Sequence, residues 1–150
     1  MQNNILSDTS CLILLDKIGK LDLLGDLFGN IIITKLILDE FAQEIPGFVK
    51  IESSKNSKYQ KILEATVDYG EASLIALSLE IENPLIILDD RKARQLANEL
   101  GIKVTGTIGI LITAIDKGLI TDVYSLIDDI NSSNFRISDV YLDELRKRSR

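Results

Sequence analysis

The sequence contains no histidine, and this absence excludes several classes of enzyme at the outset. Hydrolases of the Ser-His-Asp type need an imidazole as general base, and most catalytic zinc sites need imidazole ligands. There is also only one cysteine, Cys11, which lies in an apolar run and is interpreted as a small core residue. A single cysteine provides no disulfide within the chain, which is typical of proteins from a reducing cytoplasm.

Long apolar segments are missing as well. The longest run without a charged residue covers residues 104–115, well short of the roughly 20 residues that a membrane-spanning helix needs. No basic region precedes the first apolar residues, so no signal peptide is expected. We therefore expect a cytoplasmic protein without a membrane partner, folded as one domain over residues 1–150 and burying roughly 70% of its unfolded surface.

The charge balance is acidic. Seventeen Lys and Arg against 23 Asp and Glu give a net charge of −6, which argues against a protein that coats nucleic acid non-specifically. The same balance is compatible with an enzyme that acts on nucleic acid, because acids that hold metal ions make the charge of a site negative.

The most informative stretch is Pro84-Leu85-Ile86-Ile87-Leu88-Asp89-Asp90-Arg91. A short, wholly apolar run of this kind is typical of a strand buried on both faces in a parallel sheet. One of the two aspartates is explained as the N-cap of the helix predicted at residues 91–100. The other has no evident structural role. Its presence is costly, because neighbouring carboxylates at the end of a buried strand repel each other and are partly desolvated.

Elsewhere, short apolar runs predict strands at residues 5–6, 31–33 and 102–105. Helical spacing and end signals predict helices at residues 11–18, 21–28, 35–44, 69–79, 110–117, 119–130 and 138–148. Residues 48–61 lack a regular pattern and are interpreted as a solvated loop or short helix that carries a patch of lysines. Strands that alternate with helices predict an α/β fold in which a parallel sheet is flanked by helices.

Carboxylates follow several of these strands. Asp8 comes just after the first strand, and Asp89 and Asp90 come after the central one, so all three are expected at the edge where sites lie in parallel sheets. Glu40 and Glu71 lie in helices that can point to the same edge, although Glu71 is also explained as compensation of a helix dipole. Oxygen ligands without a His or Cys cluster favour Mg²⁺ or Mn²⁺ over zinc. Such ions activate water and stabilise the attacking and leaving oxygens in phosphodiester hydrolysis.

Taken in order, these motifs resemble the PIN-domain family, and more closely a PIN-like subfamily found in prokaryotes. The motifs are Asp8-Thr9-Ser10, Glu40, Gly70-Glu71-Ala72, Leu88-Asp89-Asp90-Arg91, Gly106-Thr107-Ile108-Gly109-Ile110-Leu111 and Phe135-Arg136-Ile137-Ser138. The resemblance covers nearly the whole chain. It implies a Rossmann-like three-layer α/β/α fold with a mainly parallel sheet of four to five strands. It also implies a metal-dependent ribonuclease, often the toxin of a toxin–antitoxin pair.

The resemblance also implies roles for individual residues. Its catalytic acids correspond to Asp8, Glu40, Glu71 and Asp90, and its Mg²⁺ or Mn²⁺ ligands to the same four with Asp89. Asp90 is preferred over Asp89 as the fourth acid because it holds the position one residue beyond the strand. Substrate contacts are expected from Ser10, Arg91, Arg94 and Thr107, together with some of the lysines Lys50, Lys55, Lys58 and Lys61.

The expected partners are an RNA substrate and an antitoxin protein, and a homodimer is compatible with the sequence. The main alternative is a non-catalytic PIN-like module that binds nucleic acid or protein. A receiver domain fits less well because the paired acids follow the wrong strand. A phosphatase of the haloacid type would need a second acid in Asp8-Thr9-Ser10. The turn Gly106-Thr107-Ile108-Gly109 could hold a phosphate at a helix start, but it lacks the spacing of a P-loop.

Overall fold

The computed structural model describes residues 2–148, in which strands and helices alternate along the chain. The five strands are β1 (Asn4–Ser7), β2 (Ile31–Ile33), β3 (Val49–Ile51), β4 (Pro84–Ile87) and β5 (Lys103–Thr105). The helices in this part of the chain are α1 (Thr9–Lys17), α2 (Leu23–Phe28), α3 (Lys35–Phe41), α4 (Ser57–Leu63), α5 (Tyr69–Ser78), α6 (Arg91–Glu99), α7 (Thr107–Asp116), α8 (Val123–Ser132) and α9 (Asp139–Lys147). Within residues 2–148, no helix has the length and apolar character needed to cross a membrane.

The strands form one parallel sheet in the order β3-β2-β1-β4-β5. The chain starts at β1 in the centre and builds outward through β2 and β3 on one side, then through β4 and β5 on the other. The direction of winding therefore reverses between β1 and β4, where Ser7 pairs with Ile87. In open parallel sheets the crevice beyond such a reversal is the usual place for a site. The architecture confirms the predicted three-layer α/β/α fold.

Both faces of the sheet are covered, because successive strand residues point to opposite sides. Ile5 and Ile87 belong to one buried cluster, with side chains from α1, α2, α3, α7, α8 and α9. Leu6 and Ile86 belong to a second cluster, with side chains from α4, α5 and α6. Burial on both faces explains the continuous apolar runs of β2 and β4.

The irregular stretch at residues 48–61 contains two elements, β3 and α4, and β3 is a strand that the sequence pattern did not predict. In β3 only Val49 is buried, whereas Lys50 and Ile51 are exposed, because the strand lies at the edge of the sheet. An edge strand with one buried side chain leaves no apolar pattern to read. The helix predicted at residues 35–44 ends earlier, at Phe41, because Ala42 adopts a left-handed backbone conformation with φ of 56°.

Candidate active site

Asp8 lies at the carboxyl end of β1 and is only 3% exposed. Its Oδ1 accepts the backbone N–H of Cys11 at 2.9 Å, which caps α1. Its Oδ2 accepts the backbone N–H of Asp89 at 2.9 Å, so the carboxylate bridges the ends of β1 and β4. Burial, followed by the charge of Asp89, raises the pKa of Asp8 to about 7, although both N–H donors oppose the shift. Asp8 is therefore a helix cap and a strained carboxylate at the same time.

The two aspartates after β4 have separate partners. The carboxylate of Asp89 accepts the backbone N–H of Thr107 at 2.8 Å and the Thr107 hydroxyl at 2.5 Å. Asp90 caps α6, because its Oδ2 accepts the N–H of Ala93 at 3.0 Å. The expectation that one of the two lacks a structural role is therefore wrong. Thr107 lies far along the chain from Asp89, so no local pattern could have shown this contact.

Glu71 belongs to a capping box at the start of α5. Asp68 Oδ1 accepts the N–H of Glu71 at 2.8 Å, and Glu71 Oε1 accepts the N–H of Asp68 at 3.4 Å. Partial burial, followed by the charges of Asp68 and Asp90, raises the pKa of Glu71 to about 7. The local dipole and capping explanation of Glu71 holds, and the residue also faces the charge of Asp90.

Glu40 reaches the same edge from α3. It is exposed, and its Oε1 accepts the hydroxyl of Thr9, the neighbour of Asp8, at 2.7 Å. Gly70 at the start of α5 makes room for this side chain, because a Cβ at Gly70 would collide with Glu40 Oε1. A larger residue at this position would therefore displace the carboxylate end of the Glu40 side chain.

The structure thus brings the five acids to one edge of the sheet, by the following links. Asp8 interacts electrostatically with Asp89 and Glu71. Glu71 interacts with Asp90, and Glu40 joins the group through Thr9 next to Asp8. We call Asp8, Glu40, Glu71, Asp89 and Asp90 the acidic edge.

The donor types of the acidic edge fit a hard divalent cation. All are carboxylate oxygens. A cation would offset the effects of burial and of the neighbouring carboxylates, which together raise the pKa of Asp8 and of Glu71. As the side chains stand, however, no three Asp, Glu or Cys residues between 2 and 148 form a group that could hold an ion. The chemistry of Mg²⁺ or Mn²⁺ ligands is present, whereas a complete three-carboxylate site is absent from the described positions.

A cavity of about 950 Å³ opens beside Asp89 and Asp90. Its lining, which we call the pocket, consists of Ser10, Asp89, Asp90, Arg91, Arg94, Val104, Thr105, Gly106, Ile108, Gly109, Phe135, Arg136, Ile137, Ser138 and Tyr141. Three arginines face two aspartates there, so the pocket carries more positive than negative side chains in a chain of net charge −6. The pocket is thus a place where an acidic protein could hold an anionic substrate.

Three of the four predicted substrate contacts, Ser10, Arg91 and Arg94, line this pocket. Arg94 is half-buried, and its Nη1 donates to the carbonyl of Leu88 at 3.1 Å. Thr107 is placed differently: it is fully buried, and both its N–H and its hydroxyl donate to Asp89. The anion held at the start of α7 is thus a carboxylate of the protein itself, and Thr107 positions Asp89.

The lysines of residues 50–61 are not pocket residues. Lys50 Nζ donates to the carbonyl of Gly47, which precedes β3 and lies at the opposite end of that strand from the acidic edge. The backbone N–H of Lys55 donates to Glu80 at 2.8 Å, and Ser54 also bonds this carboxylate. Glu80 follows the C-terminus of α5, whereas Glu71 lies in the first turn of that helix. The rise of the helix separates the two residues by about 13 Å, so Lys55 lies far from the acidic edge. The expectation that these lysines flank the acids is wrong for Lys50 and Lys55.

One wall of the pocket was not predicted from the sequence. Phe135, Arg136 and Ile137, from the connection between α8 and α9, and Tyr141, from the first turn of α9, contribute it. The signal in the sequence was the alternation of the apolar Phe135 and Ile137 with the charged Arg136 between them. In the structure the two apolar side chains are half-buried and Arg136 is exposed. That alternation predicts an anchored segment but not the surface against which it is anchored.

The comparison with family models agrees with the fold. The family model described as the PIN domain matches residues 4–150 of the sequence. Among curated proteins, a search finds none that matches the chain. PIN domains are in general nucleases, and the five-stranded parallel sheet flanked by helices is consistent with the fold of that family. On the extent of this match, the chain belongs to the PIN-domain family.

Proposed function

We propose that this protein is an endoribonuclease that hydrolyses RNA phosphodiester bonds with Mg²⁺ or Mn²⁺ held by the acidic edge. The observation that supports it most is Asp8, a buried carboxylate with a raised pKa at the point where the winding of the sheet reverses. A helix cap alone needs no such charge, because Asn or Ser caps a helix as well as Asp does. Strongly shifted pKa values in a cleft favour a functional role.

The proposed ligands of the ion are Asp8, Glu40, Glu71, Asp89 and Asp90. When bound, a divalent ion supplies Lewis-acid stabilisation of the charge that develops on the phosphodiester. The chain contains no histidine, so no imidazole general base takes part. In this proposal the carboxylates act as ligands, and their protonation state decides how well the site is formed.

The chain holds these carboxylates in place through its own hydrogen bonds. Two backbone N–H groups fix both oxygens of Asp8, and Thr107 fixes both oxygens of Asp89. Thr9 holds one oxygen of Glu40. These bonds keep the carboxylates near one another, and since no three of them within residues 2–148 form an ion-holding group as the side chains stand, some side chains turn when the ion binds.

Arg91 and Arg94 are the proposed phosphate contacts, with Ser10 in the lining of the same pocket. A guanidinium group can donate two parallel hydrogen bonds to a phosphate, and it remains charged at every relevant pH. Because contacts of this kind displace counterions from the nucleic acid, RNA affinity should fall as salt rises.

The cellular role that we propose is that of the toxin in a cytoplasmic toxin–antitoxin pair. A basic side chain of the antitoxin, inserted among the acids, would offset the same charge as a metal ion and so inhibit the enzyme. A homodimer is a further proposal, which sedimentation of the purified chain would test. Expression of the chain should slow the growth of the host cells, and co-expression of the antitoxin, expected to be a small protein encoded by a neighbouring gene, should restore growth.

The decisive experiment is cleavage of single-stranded RNA by wild type and by the double variant Asp8→Asn with Asp90→Asn. We expect cleavage in Mn²⁺ that EDTA stops and that the double variant lacks. Asp26→Asn is the matched control, because it removes an exposed carboxylate from α2, outside the acidic edge. Cleavage that survives EDTA or the double substitution would exclude this mechanism.

The second candidate is a non-catalytic module that binds nucleic acid or protein. It is favoured by the absence of a three-carboxylate group within residues 2–148 and by the structural bonds of Asp89 and Asp90. In the same experiment, RNA binding that EDTA leaves unchanged, without any cleavage, would select this candidate.

A further inference from the structure

The wall of the pocket formed by residues 135–138 and by Tyr141 has no part in holding the acids. We propose that this wall binds one unpaired nucleotide of the RNA strand, with the base stacked on Tyr141 and the phosphate beside Arg136. This inference rests on the proposed function, since it names the part of the substrate that lies next to the acidic edge.

The segment before α9, residues 135–138, is anchored on the hydrophobic core. Phe135 and Ile137 are half-buried and pack against the larger core cluster. The N–H of Phe135 also donates to the hydroxyl of Ser133 at 3.3 Å. Arg136 lines the pocket and is exposed. Since both of its neighbours pack against the core, the segment that carries Arg136 is anchored on each side of it.

Tyr141 is anchored through α9. The helix packs on the core through Leu142 and the fully buried Leu145. At its end, Arg148 Nε donates to Asp116 of α7 at 2.9 Å, which joins the two helices that flank this side of the pocket. Tyr141 itself remains 43% exposed while lining the cavity. Tyr141 thus presents an accessible aromatic ring on an anchored helix, and a base needs such a ring for stacking.

Size and charge favour a nucleotide as the occupant. A cavity of about 950 Å³ lies at the upper end of the range of about 300–1,000 Å³ for ligand sites. Arg136 lines it together with Arg91 and Arg94, so a phosphate would find guanidinium groups from two separate segments of the chain. In a duplex the bases are already paired and stacked, whereas an unpaired base is free to stack on protein. The pocket therefore fits single-stranded RNA.

The test is binding of a 5′-labelled single-stranded oligouridylate to the full chain in EDTA, measured by fluorescence anisotropy. We expect Tyr141→Ala to weaken binding roughly tenfold, since stacking on one aromatic side chain has effects of this order. Tyr141→Phe keeps the ring and should bind like wild type. Tyr124→Ala is the matched control, because Tyr124 is an exposed tyrosine of α8 outside the pocket.

Salt dependence tests the phosphate contact. Replacing Arg136 by Gln should lower the slope of log affinity against log salt by about 0.7, the value for one phosphate of a single strand. Lys103→Gln is the control for charge, because Lys103 begins β5 and lies at the end of that strand away from the pocket. It should leave the slope unchanged.

The outcomes separate this inference from the nuclease proposal. In Mn²⁺, Tyr141→Ala should raise KM for RNA cleavage while kcat changes little. If binding depends on Tyr141 but no cleavage occurs, the result supports the nucleotide site and contradicts the proposed nuclease activity. Cleavage with the same KM in Tyr141→Ala and Tyr124→Ala keeps the nuclease and overturns the nucleotide site. Equal affinity for duplex RNA, or no binding by the wild-type chain, also overturns it.

Discussion

Asp8 should make the metal-free protein less stable as pH rises through neutrality. Its pKa is about 7 in the folded chain, against about 3.9 in an unfolded one. The folded protein therefore retains a proton that the unfolded chain has already released. Stability from this group is present below pH about 4 and is lost as pH rises through about 7. At 1.36 kcal/mol per unit, the difference is roughly 4 kcal/mol, a large share of the 5–15 kcal/mol typical of a domain.

Asp8→Asn removes the titrating group and keeps a side-chain oxygen for the N–H of Cys11, so α1 remains capped. The amide NH₂ then faces the N–H of Asp89, and leaving these donors unpaired costs about 1–3 kcal/mol. At pH 8 the relief of the buried charge outweighs this cost, and the variant should be the more stable protein by about 1–3 kcal/mol. Near pH 4, where Asp8 of the wild type is protonated, the order should reverse.

The assay is urea unfolding in EDTA, followed by circular dichroism at intervals between pH 4 and 8. Asp26→Asn serves as control and should give a curve parallel to that of the wild type. A wild-type stability that falls towards pH 8 no more steeply than that of Asp8→Asn would refute the argument, because Asp8 would then have an ordinary pKa. The crossing of the two curves distinguishes the charge of Asp8 from its capping role, which alone would give a constant difference.

Four further outcomes follow from the same contacts. Asp90→Asn should keep the cap of α6, whereas Asp90→Ala should be less stable than Asp90→Asn by about 1 kcal/mol in EDTA melts. Gly70→Ala should displace the Glu40 carboxylate, so RNA cleavage should fall while unfolding free energy changes by less than about 1 kcal/mol. Thr107→Val should free one oxygen of Asp89, lowering both the cleavage rate and, by about 1 kcal/mol, the stability measured in urea. Mn²⁺ at 100 times its dissociation constant should add about 2.7 kcal/mol to wild-type stability, and no shift in the melt would contradict a metal site.

The sequence alone determined the class of fold and the placement of the acids along the chain. Runs such as Ile31-Ile32-Ile33 are typical of strands in a parallel sheet covered on both faces, so four of the five described strands could be located from composition and length. Once the strands are parallel, residues that follow them share an edge. The order of the strands and acids along the chain was therefore enough to place Asp8 and Asp89 at the same edge of the sheet, where the structure shows them in contact. The PIN-domain family, recognised from the order of these motifs, is confirmed.

Only the tertiary structure decided which side chains meet at that edge and what they face. The bond from Thr107 to Asp89 and the approach of Gly70 to Glu40 join residues far apart in the sequence, and neither changes a local pattern. The strand β3 escaped prediction because only Val49 of its three residues is buried, which leaves no apolar pattern in the sequence. Tyr141 and the segment before it reach the pocket through packing against the core. Periodicity shows which face of an element is buried, but contacts between distant elements depend on how the layers stack.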